Sequence, residues 1–182
     1  MMDGNMITSV AKAMELLAQQ ANASVMRSIC EGTSVITLDQ VEARDKLRIV
    51  SDVGARLPIY CTSQGRVFLA SRPPQEADRL LRRLTRAPFT PYTITDIPAL
   101  LQELDACREN GYAIENGEYK IGLRSVSAPV CTAEGEVRYA VGVIGMFRSI
   151  HSDEFQTAVG CVQDTARMIS TALGYRKQEG SI

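Results

Sequence analysis

Leu123-Arg124-Ser125-Val126-Ser127-Ala128-Pro129-Val130-Cys131, followed after a short loop by Glu136-Val137-Arg138-Tyr139-Ala140-Val141-Gly142-Val143-Ile144-Gly145-Met146, is the stretch that decides the fold. Two runs rich in β-branched residues around Ala133-Glu134-Gly135 read as an antiparallel hairpin. Strand alternation sends Val126, Ala128 and Val130 to one face and Leu123, Ser125, Ser127 and Pro129 to the other. Pairing Cys131 with Glu136 would set Ser125 opposite Gly142 and Leu123 opposite Ile144. That second face carries no charge, so it belongs under cover. A serine facing a glycine there fits a binding cavity, and fits equally a tight contact in which glycine admits a close helix.

Outward from the hairpin, the remaining elements follow from periodicity and punctuation. Ile7, Val10, Ala11, Met14, Leu17 and Ala18 recur at three- and four-residue spacing, which predicts an amphipathic helix over 6–20. Val25–Cys30 and Thr33–Leu38 flank Glu31-Gly32 as a second hairpin, and Leu47–Val50 reads as a third strand. Thr62 caps a short helix ending at Ser71, Pro73-Pro74 opens another, and Asp96 caps a third that Asn110-Gly111 ends. Tyr112–Glu115 is a short strand before an Asn116-Gly117 turn. Ser152 opens a last helix whose buried face is Phe155, Ala158, Val159, Val162, Ala166, Ile169 and Leu173. The order predicts an α+β domain of the GAF or profilin kind. About six largely antiparallel strands would carry the terminal helices on one face and short helices and loops on the other.

Composition narrows the function. Lys plus Arg number 20 against 21 Asp plus Glu, and Arg79, Arg82, Arg83 and Arg86 read as the solvated face of a helix rather than a DNA grip. No run reaches the roughly 20 apolar residues of a membrane span, and Met1–Asn5 lacks the basic and apolar regions expected of a signal peptide. Five cysteines without a Cys-x-x-Cys pair suit reduced, mostly buried thiols, and the expected location is the cytoplasm. His151 is the only histidine and reads as a solvated loop residue. A histidine-dependent nucleophile is therefore poorly served, and no metal-ligand spacing or phosphate loop occurs. Neither catalysis nor a cofactor is expected. The enzymatic alternative is a GAF-like cysteine-dependent reductase or redox sensor using Cys61 or Cys131.

Two local features add to the uncharged hairpin face. The amides of Thr62-Ser63-Gln64-Gly65 at a helix start attract anions, and Gly65 admits a ligand close to the backbone, although many helices begin this way. Glu115, before its turn, is either an exposed strand-end carboxylate or a ligand contact.

Two motifs in series, Leu57-Pro58-Ile59-Tyr60-Cys61-Thr62-Ser63-Gln64-Gly65-Arg66-Val67-Phe68-Leu69-Ala70 and Gly111-Tyr112-Ala113-Ile114-Glu115 continuing through Glu118–Val130, resemble the effector-binding domain of IclR-type bacterial transcription regulators. The resemblance runs over roughly residues 6–176, to the closing Ala166–Tyr175 segment. It implies a small metabolite between the sheet and the elements above it. The family's contact positions fall on Ser63, Gln64, Glu115, Ser125, Gly142 and Ile144, with Ile49 as an apolar wall. Members often have a small residue where Gln64 stands and lysine where Arg66 stands.

The expected effector is a hydroxy- or keto-acid, its carboxylate toward residues 63–65 and hydroxyls toward Glu115 and Ser125. The resemblance further implies self-association as a homodimer or homotetramer, and contact with DNA only through a winged helix-turn-helix domain. Residues 1–24 are read as the remnant of a linker to that domain, absent here, and 25–182 as the effector-binding domain.

Overall fold

The computed structural model describes residues 2–43 and 52–177. Along the chain it forms α1 (Gly4–Ala21), β1 (Ser24–Glu31), β2 (Ser34–Val41), β3 (Arg56–Pro58), α2 (Ser63–Ala70), α3 (Pro74–Arg83), α4 (Ile97–Asn110), β4 (Ala113–Asn116), β5 (Arg124–Cys131), β6 (Val137–Gly145) and α5 (Asp153–Ala172). The strands make one sheet in the order β3-β2-β1-β6-β5-β4, and every neighbouring pair is antiparallel. The α+β expectation holds. Leu47–Val50, expected as the third strand, lies outside the described residues; among those described the third strand is Arg56–Pro58, inside the Leu-Pro motif.

Two apolar layers hold the sheet. On one face α1 and α5 set Val10, Met14, Leu17, Phe155, Val162 and Ile169 against Val25, Val126, Val130, Val141 and Val143. On the other, α2, α3 and α4 bring Val67, Phe68, Leu81, Leu100 and Leu104 onto Val35, Leu57 and Ala140. The polar N-caps at Asp3, Thr62, Asp96 and Ser152 each accept a first-turn amide, so the sequence signals for helix starts translate directly into geometry. The α1 stripe is narrower than its spacing implies. Val10, Ala13, Met14, Leu17, Ala18 and Ala21 are buried, whereas Ile7 and Ala11 are exposed.

The long hairpin has the expected faces and a different register. Cys131 pairs with Val137, Ser127 with Gly142 and Ser125 with Ile144, not Ser125 with Gly142. The cause is at the loop. The Thr132 amide donates to the Glu136 carbonyl, Gly135 takes φ +83°, and an irregularity between Val130 and Cys131 shifts the pairing. Because the slip is an even number of residues, every side chain keeps its face and only the partners change.

Candidate functional site

α2 lies over the sheet, and its first turn is where the two motifs meet. Thr62 Oγ1 donates to the Pro58 carbonyl (2.7 Å) and accepts the Gly65 amide (3.2 Å), folding the chain tightly back on Ile59. A Cβ on Gly65 would lie 2.0 Å from the Ile59 carbonyl oxygen, so the turn itself requires this glycine. Ser63 Oγ and Ser127 Oγ share a 2.7 Å hydrogen bond that pins the helix to β5. Gly142 lies beneath it, because a Cβ there would meet Ser127 Oγ at 2.0 Å. The serine-glycine pair of the hairpin is thus a tight contact.

Beside that contact is a small cavity. Among the described residues Met26, Leu57, Leu123 and Ile144 form its apolar wall, Thr62, Gln64, Glu115 and Ser125 its polar one, and Tyr119 and Lys120 complete it. Its volume is about 40 Å³, room for a few waters where each needs roughly 10–15 Å³. Gln64 is 2% exposed and its Nε2 has no hydrogen-bond partner. A buried amide donor without an acceptor costs about 1–3 kcal/mol, which an acceptor arriving in the cavity would recover.

Glu115 is buried as well, which overturns the exposed strand-end reading. Its Oε1 accepts the amides of Glu118 (2.6 Å) and Tyr119 (3.0 Å), and its Oε2 accepts the Ser125 hydroxyl (3.1 Å). Burial pushes its pKa up, the two amides and Ser125 pull it back, and the neighbouring Glu118 charge adds to the rise. The loop from Gly117 to Leu123 is therefore wound around this carboxylate. Its next residue anchors it to α2. Arg66, 1% exposed, reaches both oxygens of Glu118 (2.7 and 2.5 Å) and the Ile114 carbonyl (2.8 Å). Thr90 and Thr93 hydroxyls donate to the carbonyls of Gly117 and Glu118, and the Ile94 amide donates to the Glu118 carboxylate.

Of the positions singled out in the sequence, Gln64, Glu115, Ser125 and Ile144 converge on this cavity. Ser63, Gly65 and Gly142 build the contact beside it, and Ile49 lies outside the described residues. Sequence reasoning missed Met26, Leu57, Tyr119 and Lys120 as lining, and named Thr62 and Leu123 only as part of the turn and of the covered hairpin face. The Asn116-Gly117 turn was a signal that the chain reverses before Tyr119 and Lys120, but not of where it returns.

Thiol chemistry finds little footing. Cys61 is fully buried and its thiol is pushed up to about 12, first by burial and against the pull of Arg66. Burial likewise raises Cys131. Such thiols are protonated near neutral pH and poor nucleophiles. Cys61 and Cys107 are buried, while Cys30, Cys131 and Cys161 are only partly so. His151 is exposed, and no group of three or more metal-ligating side chains occurs among the described residues. Arg79, Arg82 and Arg83 are solvated on α3, whereas Arg86 folds back onto the carbonyls of Leu81, Leu84 and Thr95.

An antiparallel sheet covered on both faces, with a small cavity under one helical layer, is the build of a sensor-type α+β domain. The chain belongs to the family described as bacterial transcriptional regulator IclR C-terminal, whose model matches residues 2–171. It is 29% identical over 163 residues to the HTH-type transcriptional repressor AllR of Escherichia coli K12, covering 90% of this chain and 60% of AllR. Thus the chain spans about 60% of the length of that curated relative. Among solved structures it resembles Thermotoga maritima IclR, with a TM-score of 0.86 at 27% identity over 94% of this chain and 69% of that one. It also resembles the C-terminal domain of E. coli KdgR, with a TM-score of 0.82 at 28% identity over 93% and 99%. No described helix is long and apolar enough to cross a membrane.

Proposed function

We propose that this chain is the effector-sensing part of a cytoplasmic IclR-type transcription regulator and catalyses nothing. Its effector is a small organic acid, a hydroxy- or keto-acid, taken into the cavity beside α2. The observation that carries this is Gln64, whose buried Nε2 is a donor without an acceptor on the cavity wall. The acid's carboxylate accepts from that amide and lies near the first-turn amides of α2, while Met26, Leu57 and Ile144 cover its carbon face. Glu115 already receives three donors, so its role is to hold the Gly117–Leu123 loop rather than to take the effector's hydroxyl. A hydroxyl finds its acceptor in Ser125 Oγ instead.

Occupancy passes to a winged helix-turn-helix segment of the same regulator through α1, with residues 1–24 as the connecting element and 25–182 as the sensor. The regulator acts as a homodimer or homotetramer. A thermal-shift panel of compact, two- to four-carbon hydroxy- and keto-acids tests the reading. A true effector present at about 100 times its Kd stabilises the folded state by about 2.7 kcal/mol. Gln64→Leu, which removes the donor and keeps the bulk, should abolish most of that shift. If no acid stabilises the unaltered chain, or if Gln64→Leu responds in full, the assignment is wrong.

A further inference from the structure

Among the described residues the cavity lining has one acidic and one basic side chain that can carry charge near neutral pH, Glu115 and Lys120, beside the phenol of Tyr119. Glu115 contributes negative charge or none, so whatever positive charge the lining has comes from Lys120. Arg66 is spent on Glu118 behind the wall. Lys120 is exposed and makes no ion pair with a described residue. Its backbone, by contrast, is fixed: the Leu123 amide donates to its carbonyl (3.2 Å), and Gly117 and Gly122 take φ +66° and +83° on either side. A held backbone carrying an exposed lysine among the lining of a small cavity is an arrangement that can steer and select charged ligands.

We propose that Lys120 is the residue that makes this cavity prefer anions, discriminating an acid from its neutral amide. The inference rests on the organic-acid reading above and adds the residue that enforces it. Its test is calorimetric titration of the unaltered chain, Lys120→Met and Lys120→Arg with pyruvate, lactate and succinate, and with pyruvamide and lactamide as neutral counterparts. Losing a charge-assisted contact predicts that Lys120→Met weakens the bound acids about tenfold. The amides should be unaffected and Lys120→Arg should restore acid affinity. The gap between acid and amide should shrink as the screening length falls from roughly 10 Å at 0.1 M salt to 3 Å at 1 M. An acid that binds the unaltered chain and Lys120→Met equally overturns the assignment while leaving the acid reading intact. Equal weakening of acids and amides overturns it too, since Lys120 would then be only part of the wall. If none of the acids binds the unaltered chain, the acid reading fails and this inference with it.

Discussion

Gly65 and Gly160 are both helical glycines, and they show how differently one residue type is used. A methyl on Gly65 would sit 2.0 Å from a backbone carbonyl and 2.6 Å from Ile59 Cα, neither of which can swing away. Gly65→Ala should cost about 3 kcal/mol, the upper range of overpacking. Gly160 is exposed within α5 and meets nothing within 4 Å, so Gly160→Ala should add about 0.5–1 kcal/mol by lowering the entropy of the unfolded chain. Urea midpoints at unchanged m-value check both. Glu115 makes a prediction in pH. Its folded pKa is raised, so the native state holds the proton more tightly than the unfolded chain. Stability from this group is then complete below the ordinary carboxylate range and is lost as pH rises through the folded value. Glu115→Gln should flatten that part of the stability profile, measured as unfolding free energy from pH 4 to 8. An unchanged slope would mean that Glu115 titrates as an exposed carboxylate.

At the scale of elements, the ion pair of Arg66 with Glu118 joins α2 to the loop between β4 and β5, two pieces more than fifty residues apart in sequence. Both partners are buried, so removing one strands the other's charge. Arg66→Ala or Glu118→Ala alone should cost about 3–5 kcal/mol, while Arg66→Met with Glu118→Leu should cost far less, because no uncompensated charge remains. Denaturant unfolding of the two single variants and the pair gives the coupling. Near-additive losses would show that the pair acts by packing alone. The same pair explains why the short helix and the distant Gly-Tyr-Ala strand occur as one signature: the loop wound on Glu115 and held through Glu118 is the cavity's second wall.

For the whole molecule, the property to test is association. Ile7 and Val53 are 54% and 63% exposed and line a groove between α1 and β2, with Met2 and Val41 beside them. This is apolar surface that the chain's own core leaves uncovered. Light scattering at tens of micromolar should give a mass above the monomer, and Ile7→Asp should lower it without lowering Tm, since Ile7 packs on nothing inside the core. A monomer throughout, or a variant that associates as before, would remove this surface from consideration.

Periodicity and punctuation alone determined the helix caps, the two-faced hairpin and, apart from β3, the order of the described elements. Each of these depends on residues within a few positions of one another, where caps, turns and alternation act. Family resemblance placed Gln64, Glu115, Ser125 and Ile144 at one site, and the cavity does gather them. Only the tertiary structure decided the rest. The hairpin's register turned on an irregularity beside Cys131, and Gly65 and Gly142 became packing glycines because Ile59 and Ser127 come so close. Glu115 became a loop anchor because the amides of Glu118 and Tyr119 close on it, and Lys120 reached the cavity because that loop folds back. Such outcomes hinge on distances between segments far apart in the chain, and a pattern of residue types carries no such distances until the core has packed.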